Sequence, residues 1–200
     1  IIFLIPPNLE DEKMPPPERI FGCSYGLYPN PNIFILYCAA IAEESGYEVQ
    51  VEDMPLAGIK AGRFVERIEE FGNAIYCFNT VNLSKNTDII ALGKIRSLCQ
   101  NVPVIFFGPA PTISPDEFLV DDNCYVIRGE PEVTFEKLLS SFCSKESIEE
   151  ITGISFKREG RLHHNESRAP LKDIDSLPFP ARHLVDRDKF YSPKLPRKPY

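Results

Sequence analysis

The first 143 residues show two repeating patterns of apolar positions. Short runs that are apolar throughout, such as Ile1–Ile5 and Val104–Phe107, are typical of strands that are covered on both faces. Longer stretches such as Phe64–Phe71 carry apolar residues on one helical face and charged residues on the other. One stretch, Tyr47–Glu52, alternates strictly between apolar and polar residues, which indicates a strand with one wet side at the edge of a sheet.

Strand-like and helix-like segments alternate along this part of the chain. The predicted strands cover residues 1–5, 47–52, 74–78, 104–107 and 125–127, and the predicted helices cover residues 33–45, 64–71, 89–99 and 135–142. Such alternation with apolar strands indicates a parallel sheet that has helices on both faces. We therefore expect an α/β fold of the flavodoxin or Rossmann type. Its doubly wound parallel sheet should have five strands in the order 2-1-3-4-5, with the alternating second strand at an edge.

The C-terminal part of the chain has a different pattern. Residues 151–156 and 161–165 flank a Glu159-Gly160 turn, which predicts a small β-hairpin. From Ala169 onward prolines are frequent and periodicity is weak, as in an extended linker. These patterns predict an α/β domain at 1–146, a hairpin appendage at 147–168, and a linker at 169–200 that leads toward a further domain.

Composition argues against several classes of protein. The 200 residues are 43% hydrophobic, enough for one domain with a core, and the net charge of −7 without a basic patch argues against nucleic-acid binding. No apolar run is long enough to span a membrane, and Ile1–Ile5 has neither a basic lead nor a cleavage site. Four of the six cysteines lie inside apolar stretches, where free thiols act as small hydrophobic groups. We therefore expect a cytoplasmic protein with reduced thiols.

Ligands of such a sheet bind beyond the carboxyl ends of its strands. The loops at those ends span 6–32, 53–60, 79–86, 108–114 and 128–132. Loop 6–32 holds seven prolines together with Gly22, Tyr25, Gly26 and Tyr28, which suit the cover of a flat ligand or a flexible crossover. The candidate ligand-binding residues on the other loops are mostly small or polar: Asp53, Pro55, Gly58, Asn79, Thr80, Gly108, Pro109, Ala110, Thr112, Gly129 and Glu130.

The same loops have ordinary structural interpretations. Asp53 and Gly58 suit a turn, Asn79 and Thr80 suit a loop that caps a helix, and Glu130 can accept a hydrogen bond from backbone N–H groups or from a ligand. The chain shows no Ser-His-Asp group, no phosphate-cradling GxxxxGK motif and no paired catalytic carboxylates. None of these common catalytic arrangements is therefore predicted on the ligand loops.

Short motifs at these loops recur in a fixed order along nearly the whole chain. They are Pro6-Pro7, Leu36-Tyr37-Cys38-Ala39-Ala40, Gly46-Tyr47-Glu48-Val49, Gly108-Pro109-Ala110-Pro111-Thr112, Val126-Ile127-Arg128-Gly129-Glu130-Pro131-Glu132, and Leu177-Pro178-Phe179-Pro180-Ala181-Arg182. As an ordered set they resemble the N-terminal half of cobalamin-dependent radical SAM enzymes. The last two motifs are the most specific.

The resemblance implies a cobalamin-binding domain. It also implies a following barrel that holds a [4Fe–4S] cluster and S-adenosylmethionine, with cluster ligands in a CxxxCxxC motif that these 200 residues lack. Many members of the family are methyltransferases, and others carry out different chemistry. The resemblance thus implies that the longer protein is an enzyme and that these 200 residues alone are not catalytic. The expected partners are cobalamin and the barrel of the same longer chain, with no nucleic acid and no membrane.

The loop after the second strand departs from a pattern known in other cobalamin proteins. In that pattern, DxHxxG, the histidine supplies a nitrogen ligand to cobalt, whereas this chain has Asp53-Met54-Pro55-Leu56-Ala57-Gly58. Proline has no side-chain lone pair to offer a metal, and the three histidines, at 163, 164 and 183, lie outside the predicted ligand loops. The resemblance thus implies cobalamin bound with its own base detached and without a histidine ligand.

Three other interpretations compete with this one. A receiver-like signalling domain needs acidic residues after the first strand, where Pro6-Pro7-Asn8 stands, and an aspartate at the place of Asn79. A flavin carrier needs a phosphate loop rich in serine, threonine and glycine at the place of Pro6-Pro7. The third, a degenerate domain that keeps the fold for docking and binds no cobalamin, stays open because most ligand contacts would be to backbone and small side chains.

Overall fold

The computed structural model describes residues 1–19, 29–144 and 147–190. The strands are β1 (Ile2–Ile5), β2 (Gln50–Asp53), β3 (Tyr76–Asn79), β4 (Val104–Phe107), β5 (Cys124–Ile127), β6 (Ile154–Arg158) and β7 (Arg161–His164). The α-helices are α1 (Ile33–Glu44), α2 (Phe64–Phe71), α3 (Lys85–Leu98), α4 (Pro109–Ile113) and α5 (Glu132–Cys143). Short 3₁₀ turns lie at Ala61–Arg63, Pro115–Phe118, Ile148–Glu150, Ile174–Ser176, Arg182–Leu184 and Arg187–Lys189.

The strands form one sheet in the order β2-β1-β3-β4-β5-β6-β7. The first five strands are parallel, so the predicted doubly wound sheet with the order 2-1-3-4-5 is confirmed. The predicted hairpin is also present, as β6 and β7. It pairs antiparallel to β5, with Ile154 opposite Ile127, and so extends the parallel sheet. The division of the chain into separate parts at 146 and 168 stays a prediction.

Hydrophobic layers cover both faces of the sheet. On β1, Phe3 and Ile5 join the layer formed by α1 and α5, while Ile2 and Leu4 join the layer formed by α2 and α3. A phenylalanine such as Phe3, which is fully buried, contributes about 1.5 to 3 kcal/mol by leaving water. Two buried faces explain why inner strands such as β1 and β4 are apolar at every position and do not alternate.

Strand β2 begins three residues later than its alternating pattern predicts. The backbone N–H groups of Gly46 and Tyr47 donate to the carbonyls of Glu43 and Ala42, which forms a Schellman motif at the end of α1. Residues 47–49 therefore complete the exit from the helix before the strand starts. The hydroxyl of Tyr47 reaches α5, where it donates to the carbonyl of Leu139 at 3.1 Å.

The predicted linker is packed against the domain over its described length. Ala181 is buried, and its N–H donates to the carbonyl of Leu36 on α1 at 3.0 Å. Leu177 and Leu184 pack against the same hydrophobic layer, and Phe190 is also buried. The segment 169–190 thus covers part of α1. Residues 191–200 lie outside the described residues.

No helix within the described residues is long and apolar enough to cross a membrane. The cysteines at 38, 77, 99 and 124 are buried free thiols, as their apolar surroundings in the sequence indicate. Burial raises the pKa of the Cys38 and Cys77 thiols, which keeps them protonated and unreactive. These four thiols are therefore parts of the core.

Candidate functional site

A buried ion pair lies at the carboxyl end of β3. Arg19, from the loop after β1, donates to both carboxylate oxygens of Asp88 on α3, at 2.6 and 2.9 Å. The side chains are 1% and 0% exposed. The Asp88 carboxylate also accepts hydrogen bonds from the hydroxyls of Thr80, at 2.7 Å, and Ser84, at 3.1 Å. With these donors its negative charge is compensated inside the protein.

The same arginine connects the ion pair to the end of β3. Its Nη1 donates to the carbonyl of Asn79 at 2.9 Å and to the Ser84 hydroxyl at 3.1 Å. The Asn79 side chain in turn accepts from Asn32, which caps α1 by accepting from the N–H of Ile35. One network therefore joins the loop after β1, the start of α1, the end of β3 and the start of α3.

The loop after β2 is a tight turn built on Asp53. The Asp53 carboxylate accepts from the N–H of Leu56 at 3.0 Å, and Met54 is fully buried beneath the turn. Burial raises the pKa of Asp53 from its usual 3.8 to about 6, while the hydrogen bond from Leu56 and the positive charges of Arg19 and Lys189 act in the opposite direction. Pro55 is part-exposed at the top of the turn, and Gly58, with φ +74°, closes it.

The loops after β3 and β4 are joined through Gly108. The N–H of Thr80 donates to the Phe107 carbonyl at 2.8 Å, and the N–H of Ala110 donates to the Thr80 carbonyl at 3.2 Å. Gly108 has φ +108°, and a Cβ there would lie 2.7 Å from the Thr80 carbonyl oxygen. Only glycine allows this approach. The residues predicted as a loop after Gly108 form the short helix α4 instead, because Pro109 starts a helical turn directly behind the glycine.

Thr112 joins the loops after β4 and β5. Its hydroxyl donates to the Gly108 carbonyl at 2.8 Å and accepts from the N–H of Gly129 at 3.0 Å. Gly129 has φ +79°, is exposed, and has open space where a Cβ would point. A ligand can therefore approach the backbone at Gly129 without displacing protein atoms.

Glu130 accepts a hydrogen bond from a backbone N–H group, which is one of its two predicted roles. Its carboxylate accepts from the N–H of Leu171 at 2.7 Å, so it fixes the start of the segment 169–190. Arg128 donates sideways to the carbonyls of Ile154 and Asn165 at the base of the hairpin, next to the end of β5. The Arg128-Gly129-Glu130 stretch thus ties β5 to both C-terminal elements.

Two apolar side chains stand at the outer surface of these loops. Leu83, between β3 and α3, is 72% exposed, and Ile113, at the end of α4, is 73% exposed. Pro109 is exposed on the same helix. Exposed aliphatic groups on the loops after β3 and β4, together with the open Gly129 after β5, suit a flat, largely apolar ligand.

The structure brings most of the predicted site residues into one connected set. Contacts link six of them: Asn79, Thr80, Gly108, Ala110, Thr112 and Gly129. Asn79 and Thr80 are buried and already hydrogen-bonded, so they form the floor of the site. Asp53, Pro55 and Gly58 stand on the separate β2 loop, and Glu130 points to Leu171. The predicted roles of Gly22, Tyr25, Gly26 and Tyr28 fall outside the described residues.

Arg19 and Asp88 were not among the residues predicted from the sequence. The only signal of Asp88 is a carboxylate next to the apolar stripe of α3, and Arg19 is one charged residue in a proline-rich loop. Their contact spans 69 residues of sequence, and no local pattern links them. A charged residue on the buried face of a helix indicates that a group of opposite charge lies nearby, but it does not indicate which one.

The three histidines lie outside the loops at 79–86, 108–114 and 128–132. His163 stacks on Phe156, and His164, on β7, contacts the Ser155 hydroxyl at 2.9 Å. His164 also lies 3.3 Å from the carboxylate of Asp116, in the 3₁₀ turn that follows α4. His183 lies 2.9 Å from the carboxylate of Glu43 near the C-terminus of α1.

A doubly wound sheet with linked, glycine-containing loops at its carboxyl end defines a cofactor- or nucleotide-binding α/β domain. The model of the B12 binding domain matches residues 21–139. This chain belongs to the B12-binding domain family.

Relatives and solved structures agree with this assignment. The chain is 25% identical over 199 residues to an uncharacterized methyltransferase of Pyrococcus horikoshii. The aligned region covers 98% of this chain and 41% of that protein. It is 24% identical over 204 residues to cytidylyl-2-hydroxyethylphosphonate methyltransferase of Streptomyces wedmorensis, covering 82% of this chain and 38% of that protein. The chain thus spans about two fifths of the length of these relatives.

Two solved enzymes share the fold. The cobalamin-dependent S-adenosylmethionine radical enzyme OxsB, with aqua-cobalamin and S-adenosylmethionine bound, superposes with a TM-score of 0.66 at 19% identity, over 77% of this chain and 22% of that one. The radical S-adenosylmethionine methyltransferase TsrM from Kitasatospora setae, with cobalamin and a [4Fe-4S] cluster bound, superposes with a TM-score of 0.58 at 16% identity, over 85% and 34% of the two chains. At these identities the likeness establishes the fold.

Proposed function

We propose that this chain binds cobalamin on the loops that follow β3, β4 and β5, as the N-terminal part of a longer radical SAM enzyme. The observation that carries the proposal is the connected set of Gly108, Thr112 and Gly129, which leaves open space at Gly129. The same group of loops carries the exposed side chains of Leu83 and Ile113. Membership of the B12-binding family and the names of the relatives support it.

The residues fit cobalamin through shape and backbone rather than through charge. Gly129 leaves room for a ligand to approach its backbone, and the buried Asn79 and Thr80 form a rigid floor below. Leu83 and Ile113 offer apolar contacts to the corrin ring. When bound, cobalamin would supply a cobalt centre able to carry a methyl group.

In this proposal no side chain of the domain coordinates cobalt. Pro55 stands where a ligand histidine stands in the DxHxxG pattern, and the three histidines are held on β7 and near the C-terminus of α1. The cofactor's own base would be detached, with its nucleotide tail along the loops of Gly108 and Gly129. The position of loop 6–32 against the corrin stays part of the proposal.

The rest of the enzyme would continue from the segment 169–190. Phe190 is buried, and Lys189 lies near enough to Asp53 to lower the pKa of that carboxyl. The described chain therefore ends beside the carboxyl edge of the sheet. We propose that a barrel holding a [4Fe–4S] cluster and S-adenosylmethionine follows there, and that the complete protein transfers methyl groups.

Anaerobic titration with hydroxocobalamin, followed by absorption, tests cofactor binding. We expect saturable binding with one cobalamin per chain, and weaker binding by Ile113→Asp, which places a charge on the proposed corrin surface. Leu162→Asp is the matched control, because Leu162 is exposed on β7 at the far edge of the sheet. A folded wild-type chain that takes up no cobalamin would instead support the docking-only alternative.

Electron paramagnetic resonance of the bound Co(II) form tests the absence of a nitrogen ligand. We expect no nitrogen superhyperfine splitting from an axial ligand. A clear triplet splitting would mean that a histidine or the cofactor's own base is coordinated, and would reject this binding mode while leaving binding itself intact.

A further inference from the structure

We propose that Arg19 is a positioning residue for the cobalamin site, acting through its ion pair with Asp88. In this inference, which rests on the proposed function, the pair holds the described stretch that ends at Arg19 and the end of β3 in one fixed arrangement. That arrangement is the floor on which the cofactor sits.

The contacts of Arg19 reach every part of this floor. Its guanidinium binds both oxygens of the Asp88 carboxylate, and the same Nη1 binds the carbonyl of Asn79 at the end of β3. Asp88 in turn fixes the hydroxyl of Thr80, whose carbonyl accepts from Ala110 on the next loop. The position of the loop after β1 is thereby transmitted to the loops after β3 and β4.

Stability alone gives little reason for a charged pair in this place. Desolvating two charges costs about as much as their attraction returns, and apolar residues of similar volume often stabilise a protein equally well. A planar guanidinium on a carboxylate adds direction, because the fork fits in one orientation only. The pair at 1% and 0% exposure therefore fixes a geometry that methionine and leucine would leave loose.

The decisive variant replaces both partners, Arg19→Met with Asp88→Leu. We expect the double variant to fold with lower thermal stability, because the buried hydroxyls of Thr80 and Ser84 lose their acceptor. We also expect its dissociation constant for hydroxocobalamin to rise about tenfold or more, as for other changes that disorient a binding site from outside it. Arg96→Met with Asp121→Leu is the matched control, since it removes another forked guanidinium–carboxylate pair of α3, one that lies at the amino end of the sheet. The control should bind like the wild type.

If the double variant does not fold, a milder variant and a second measurement still test the inference. Arg19→Lys keeps the charge but loses the forked contact, and should weaken binding with the fold intact. Amide hydrogen exchange at Ala110, whose N–H donates to the Thr80 carbonyl, is the second measurement, and we expect faster exchange in both Arg19 variants without cobalamin.

The outcomes separate this inference from the proposed function. Wild-type binding with an equal dissociation constant in the folded double variant overturns the inference alone, as does equal binding by Arg19→Lys. No binding by the wild-type chain overturns the proposed function and this inference with it. Weaker binding together with faster amide exchange at Ala110 supports both.

Discussion

The carboxyl edge of the sheet has two halves that are built by different means. The charged half, around β1 to β3, is held by the buried side chains of Arg19, Asp53 and Asp88. The small-residue half, around β4 and β5, is held by Gly108, Thr112 and Gly129 through backbone contacts.

The difference shows how a binding edge can be both rigid and open. Long side chains that meet inside the protein fix the charged half and leave little polar surface exposed there. Small residues in the other half keep bulk away, so that a ligand can approach the main chain. The first half determines position, and the second provides access.

The largest expected effect comes from leaving a charge alone in the charged half. Asp88→Ala would leave the buried guanidinium of Arg19 without its carboxylate, which should lower the free energy of unfolding by about 3 to 5 kcal/mol. Urea unfolding followed by circular dichroism measures this. Lys85→Ala, which removes an exposed pair, should cost about 1 kcal/mol or less. Equal losses in the two variants would contradict the distinction between the halves.

Two glycines of the small-residue half should differ in their tolerance of alanine. Gly108→Ala puts a Cβ 2.7 Å from the Thr80 carbonyl oxygen at a strained φ, and should cost about 2 to 3 kcal/mol. Gly129→Ala meets only the strain of φ +79°, and should cost about 1 kcal/mol. Parallel urea titrations compare them. A bulky residue at Gly108 is therefore a poor probe of ligand binding, because it would destabilise the folded protein even without a ligand.

Asp53 gives the charged half a dependence on pH. Burial holds its pKa at about 6 in the folded protein against 3.8 normally, so the folded chain keeps a proton that the unfolded chain loses as the pH rises. Stability should therefore fall between about pH 4 and pH 6 and level off above. Asp53→Asn lacks this loss and should be more stable than the wild type at pH 7 by about 1 to 2 kcal/mol. The measurement is the free energy of unfolding of both proteins from pH 4 to 7. Two curves with the same pH dependence would contradict this role of Asp53.

The smallest effect is expected at Thr112. Thr112→Val removes the hydroxyl that joins the loops after β4 and β5, at a cost of about 1 kcal/mol. Thr112→Ser keeps the hydroxyl and should stay close to the wild type. Amide hydrogen exchange at Gly129, whose N–H the hydroxyl accepts, is the most direct measurement. Unchanged protection of that amide in the valine variant would show that the bond is unimportant.

The sequence predicted the sheet and the small-residue half because their signals are local. Strands that are apolar throughout can be covered only on both sides, and Gly108 and Gly129 each follow a strand end within two residues. The start of β2 was predicted too early, since the alternation of Tyr47 and Val49 conceals a Schellman turn.

The charged half and the packing of the C-terminal segment could not be predicted in this way. Arg19 meets Asp88 across 69 residues, and Ala181 donates to Leu36 across most of the chain. Such pairings depend on where the folded chain places distant residues. Prolines at 170, 178 and 180 indicate an extended segment without indicating what surface it covers.

The position of Ala181 on α1 has a consequence for biosynthesis. Domains begin to fold from the N-terminus while the ribosome is still adding residues. Strands β1 to β5 and both helical layers are complete by residue 143, but the groups on α1 that Leu177, Ala181 and Leu184 cover stay bare until that segment emerges. Before that segment emerges, the nascent chain has a sheet but an uncovered helix α1. Chaperones bind such exposed apolar surfaces, and a pause in translation would prolong this state.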